Sequence, residues 1–80
     1  MDEQLSAGRR LLMEVLDVPE IAAQIPADAD LMLAGINSGD LIRLGLIIEK
    51  RTNLPLSDDD LIELQTVNGI DRILSDRTHQ

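Results

Sequence analysis

Gly35-Ile36-Asn37-Ser38-Gly39-Asp40-Leu41 is the stretch on which the reading of this chain turns, because it opens a helix whose apolar residues continue at Leu44 and Ile48. Gly35 permits the turn that precedes a helix start. Asn37 is among the best N-cap residues, and Asp40, three positions on, can complete a reciprocal cap. With Asn37 capping, Ser38 is released from that duty, and its hydroxyl is expected to face solvent at the first helical position. From there a rotation of about 100° per residue puts Leu41, Leu44, Ile48 and Thr52 within a sector of about 80°. That sector is the core-facing stripe. Asn53 and Pro55 close the helix near Thr52.

Working outward, the pattern predicts three further helices and no strand. One runs from about Asp2 to Leu16, with Leu5, Leu12, Val15 and Leu16 at helical spacing and Asp2 and Glu3 at the positive end of its dipole. Pro19 prevents its simple continuation. A long loop, roughly Asp17 to Ile36, separates it from the Ser38 helix; Ile21, Ile25 and Leu31 are its expected apolar anchors, and a short helical turn is expected around Glu20 to Gln24. A short helix over about Asp58 to Leu64 has Ser57 as N-cap and Asp58, Asp59 and Asp60 in its first turn, where negative charge is favoured. The last starts after Thr66 and carries Val67, Ile70, Ile73 and Leu74, leaving a tail at 75–80 expected to fray. The expected fold is therefore all-α: a small four-helix bundle with a long loop between helices 1 and 2 and a short helix 3.

Composition narrows the function classes. The chain has 80 residues, enough for one domain spanning 1–80, in which roughly 60% of the unfolded surface becomes buried. A deep, self-enclosed active site does not fit into so little material. There is no Trp, Tyr or Phe and the formal net charge is −8. Stacking platforms and counterion release, the two sources of nucleic-acid affinity, are both missing. The same charge repels anionic membrane surfaces and attracts basic partners. There is no Cys, which excludes disulfides, thiolate metal sites and a cysteine nucleophile. No apolar run approaches the roughly 20 residues of a membrane span. The start, Met1-Asp2-Glu3-Gln4, lacks the basic residues of a signal peptide, so the cytoplasm is the expected location and a monomer the expected state.

The chemistry concentrates at Ser38. A phosphodiester at that position meets open backbone N–H groups and the positive end of the helix dipole. Nothing in the chain activates this serine as a nucleophile, since a hydrolase needs a base and an orienting group and the one histidine, His79, lies in the tail. Ser38 reads as an acceptor of modification, or, taken alone, as an ordinary helix-start serine. The acidic run Asp58 to Asp60 lacks the glycine and spaced ligands of a calcium loop, so no metal site is expected.

The order of these pieces resembles the acyl carrier protein family, which includes peptidyl and aminoacyl carrier proteins. The family pattern is a long loop, Gly-x-Asp-Ser-Leu opening the second helix, an acidic short third helix, and Thr-Val opening the last. The matching residues are Gly35-Ile36-Asn37-Ser38, then Leu41, Leu44 and Glu49, then Ser57-Asp58-Asp59-Asp60, then Thr66-Val67, so the resemblance covers about Leu5 to Leu74. It implies a non-enzymatic carrier that holds an acyl or aminoacyl group as a thioester on 4′-phosphopantetheine attached to Ser38. A phosphopantetheinyl transferase, a loading ligase and downstream transferases are the implied partners. Two positions depart from the pattern. Asn37 stands where Asp is usual, removing a negative charge that helps position metal and enzyme during attachment, and Gly39 stands where an apolar residue is usual, leaving no side chain beside the arm.

The second helix also carries partner information. Leu46 points about 160° from the centre of the core stripe and Ile42 about 120°, where a solvated face has polar residues. Together with Arg43, Glu49 and Lys50 they form the expected docking face. Arg43, Lys50 and Arg51 are three of only seven basic residues, and Arg43 stands where the family commonly has an acidic residue. With the altered motif, this favours a specialised pathway over general fatty-acid synthesis. Gly45 lies toward the core side, where it permits close approach of a neighbouring helix. The alternative, from a different class, is an unmodified helical protein-interaction module in which Ser38 is only a helix-start residue.

Overall fold

The computed structural model describes residues 5–78. It contains α1 (Ala7–Val15), α2 (Pro19–Gln24), α3 (Ser38–Thr52), α4 (Asp58–Glu63) and α5 (Val67–Thr78). The all-α expectation holds, and the turn expected near Glu20 is a full short helix, so the long loop is interrupted by α2.

Local chemistry sets each boundary. The helix expected from Asp2 starts later: Leu5 and Ser6 are not helical, and the Ser6 hydroxyl accepts from the Arg9 backbone N–H at 3.2 Å, which makes Ser6 the N-cap. Asp2 and Glu3 lie outside the described residues. Pro19 begins α2 as its first helical residue, where its missing N–H costs nothing. That helix has no basic residue in its own last turn. Arg9 from α1 serves instead, donating from Nη1 to the carbonyls of Ala22 and Ile25 at 2.6 and 2.7 Å. Asn53 terminates α3 in the left-handed region at φ 59°, a conformation asparagine tolerates better than most residues.

The core is aliphatic and contains no buried polar or charged residue among those described. Its largest fully buried side chains are Leu12, Leu31, Leu44, Ile48, Val67 and Ile70, each contributing about 1.5–3 kcal/mol on transfer from water. Two of the three expected loop anchors, Ile25 and Leu31, are buried as predicted, but Ile21 is exposed. Once α2 is helical, the residue one position on turns inward, and Ala22 takes that place with Ile36 adding a second anchor.

Two backbone bonds fasten the long loop to the α4–α5 turn: Leu31 N–H donates to the Gln65 carbonyl at 2.8 Å and Asn68 N–H to the Ala27 carbonyl at 3.0 Å. Thr66 caps α5 as expected, its hydroxyl accepting from Gly69 N–H at 3.0 Å. Gly69 is required there, because a Cβ would fall 1.7 Å from the Glu63 carbonyl oxygen. The α5 helix extends past Ser75, where the tail expected to fray begins. It continues to Thr78, and in its last turn the Arg77 guanidinium donates to the carbonyls of Leu54 and Pro55 at 2.6 and 2.9 Å. His79 and Gln80 lie outside the described residues.

Candidate functional site

The site is built at the start of α3. Upstream, Asp30 Oδ1 accepts from the N–H groups of Met32 and Leu33 at 2.9 and 3.1 Å, and Ile36 N–H donates to the Leu31 carbonyl at 3.0 Å. This tight turn ends at Gly35, whose φ of 109° is a conformation that side chains resist. Buried Ile36 then pins the chain, and Asn37 enters the helix with extended backbone while its Oδ1 accepts from Asp40 N–H at 2.8 Å.

Capping by Asn37 leaves Ser38 as the first helical residue, exposed, with its hydroxyl uncommitted among the described residues. The expected reciprocal half of the cap is absent. Asp40 Oδ1 accepts instead from Arg43 Nη2 at 2.7 Å, because an arginine one turn on offers a charge-assisted bond in place of a neutral amide. The full capping box forms at α4, where Ser57 and Asp60 exchange both bonds. The N–H groups of Ser38 and Gly39 point outward from the electropositive tip of α3. An exposed hydroxyl beside open amides fits a phosphodiester.

A groove of about 200 Å³ lies beside this tip, with residues 16–18 and Ile21 on one wall and residues 35–37 and Asp40 on the other. Among the described residues, no group of three His, Asp or Glu side chains is placed to hold a metal ion.

Along α3 the predicted phase holds. Leu44 and Ile48 are buried, while Ile42 and Leu46 are 64% and 59% exposed. Arg43 and Lys50 are exposed beside them. Glu49, also expected on the docking face, is half-buried, and its Oε2 accepts from Leu56 N–H at 2.8 Å, so it fastens the α3–α4 connection. Gly45 is buried against Leu56 and Leu64, as its core-side position predicted. A second groove, of about 330 Å³, is lined by Arg43, Leu46, Ile47 and Lys50. Ile47 was missed from sequence, though its spacing from Arg43 and Lys50 (four and three residues) places all three on one stripe. The exposed Met32 and Leu33, at 51% and 89%, were also missed; the signal was Asp30, which can bond the backbone N–H groups two and three residues on.

The family model for the phosphopantetheine attachment site matches residues 9–72. No curated protein and no solved structure gives a significant match. No described helix is long and apolar enough to cross a membrane. The matched span runs from α1 into the first half of α5, encloses the Asn37-capped helix start, and covers well over half of the chain. The protein thus belongs to the phosphopantetheine-attachment family of carrier domains, whose cofactor is covalently bound 4′-phosphopantetheine.

Proposed function

We propose that Ser38 is the attachment residue and that residues 1–80 act as one carrier domain for an acyl or aminoacyl group. Ser38 Oγ gives up its proton and takes the phosphopantetheinyl phosphorus from coenzyme A, releasing adenosine 3′,5′-bisphosphate. The observation that carries this reading is the division of labour at the helix start: Asn37 Oδ1 takes the capping bond at 2.8 Å, and the neighbouring serine stays exposed. The amides of Ser38 and Gly39, with the α3 dipole, hold the phosphate. When bound, the group supplies a terminal thiol that holds cargo as a thioester. The face bearing Ile42, Arg43, Leu46 and Lys50 docks the phosphopantetheinyl transferase, the loading ligase and the downstream transferases in turn. The flexible arm raises local cargo concentration at each docked site. Arg43 and Lys50, with Asn37 and Gly39 in the motif, favour a dedicated pathway over general fatty-acid synthesis.

The test is intact-protein mass after incubation with coenzyme A and a phosphopantetheinyl transferase. A gain of one phosphopantetheine that disappears in Ser38→Ala is expected. No gain with several transferases supports the unmodified interaction module, and a gain retained in Ser38→Ala moves the site elsewhere.

A further inference from the structure

The groove on the outer face of α3 has a charge character opposite to that of the whole chain. Its lining residues, Arg43, Leu46, Ile47 and Lys50, form a single helical stripe. No acidic residue among those described lines it. Asp40 does hold Arg43, at 2.7 Å, but the Asp40 side chain is 16% exposed against 55% for Arg43, so the outward surface of the pair is the cation. Lys50 is exposed and makes no ion pair among the described residues. The two cations stand seven residues apart, about 10.5 Å along the helix axis. Between them lie exposed Leu46 and half-buried Ile47.

We propose that this groove receives an amphipathic helix of a partner protein that presents leucine-class side chains flanked by carboxylates seven residues apart. The inference rests on the docking role given to α3 above and reverses the expectation from net charge, by which an acidic chain draws basic partners. Seven residues on a partner helix span the same axial distance as Arg43 to Lys50, so each carboxylate meets one cation while the apolar side chains cover Leu46 and Ile47. The charges at the two ends set orientation and encounter rate, and the apolar centre supplies the contact that excludes water.

The experiment uses the 15N-labelled full chain, both as purified and after incubation with coenzyme A and a phosphopantetheinyl transferase. The probe is an alanine-rich helical peptide with two leucines centred between glutamates seven positions apart; its twin has lysines in place of the glutamates. The acidic peptide is expected to shift the amides of residues 43–50 more than any others, with the effect falling as sodium chloride rises from about 50 to about 500 mM. Lys50→Glu is expected to weaken the acidic peptide about fivefold, the upper range for one exposed ion pair, and to strengthen the lysine twin. Lys50→Ala, which leaves the helix intact, is expected to give a smaller loss of the same sign. Equal or tighter binding of the lysine twin overturns the proposal, as does an acidic peptide that leaves residues 43–50 unmoved. The mass gain on Ser38 reads the carrier assignment separately, so either reading can fail while the other stands.

Discussion

Arg77, in the last turn of α5, donates from Nη2 to Oδ2 of Asp60, in the first turn of α4, at 3.1 Å. The same carboxylate oxygen accepts from Ser57 N–H at 3.0 Å. Arg77 Nη1 also reaches Thr52 Oγ1 at 3.2 Å and the Leu54 carbonyl at 2.6 Å. One side chain thus gathers the end of α3, the connection after it and the start of α4. Arg77→Ala is expected to lower stability by about 2 kcal/mol, the scale of losing hydrogen bonds to a charged group. Arg77→Lys should recover less than half, because an ammonium cannot reproduce the planar fork. Urea unfolding followed by circular dichroism measures both; an unchanged midpoint in Arg77→Ala would show that the clasp is ornamental.

The Asp60 carboxyl lies below its ordinary 3.8, mainly because the Ser57 backbone N–H bonds to it; partial burial acts in the opposite direction, and the Ser57 side chain and Arg77 add to the lowering. A carboxyl depressed by folding contributes stability that is complete above its unfolded value and is lost as pH falls through the folded value. The stability difference between the wild type and Asp60→Asn should therefore be constant from pH 7 to about pH 5 and shrink below about pH 4. A difference that persists undiminished at pH 2 would place the effect in packing and not in charge.

Gly69→Ala reverses a familiar sign. Within a helix, alanine for glycine ordinarily gains up to about 1 kcal/mol. Here the added carbon lands 1.7 Å from the Glu63 carbonyl oxygen, a backbone atom. The expected outcome is a loss of about 3 kcal/mol or more through overpacking, with α4 and α5 forced apart. Thermal unfolding checks this, and a stabilised variant would mean that the α4–α5 turn sits differently.

Leu44 and Leu46 separate packing from docking. Leu44→Ala removes a fully buried side chain and should cost about 2–5 kcal/mol. Leu46→Asp alters a residue that is 59% exposed and should change stability by less than about 0.5 kcal/mol, while weakening cargo transfer to or from partner enzymes. Melting temperature and transfer rate are both read; a large loss of stability in Leu46→Asp would show that it packs inward.

The contrast between what sequence revealed and what it concealed follows the range of the interactions. Asn37 as cap, Ser38 as the released neighbour and the outward set of Ile42 and Leu46 all depend on residues within one or two turns, and helical rotation places them. Asp40 shows the limit of that logic: a reciprocal cap and an ion pair with Arg43 are both local, and only their relative strength decides between them. The Arg77 clasp was illegible, since its acceptors lie 17 to 25 residues away, and the tail was consequently expected to fray. Arg9 closing α2 and Glu49 holding Leu56 are of the same kind. Each is a charged residue that reads as surface until tertiary structure brings a backbone group to it.

The two backbone bonds that join the long loop to the α4–α5 turn bear on how far anything mounted on α3 can travel. They fasten the approach to Ser38 to the helical frame at Ala27 and Leu31. A group attached at that helix tip, as proposed, then pivots on an anchored segment, and its sweep depends chiefly on its own length and rotatable bonds. In the proposed carrier role, passing from one enzyme to the next would add a turn of the whole protein to the sweep of the arm, with the frame serving as the handle.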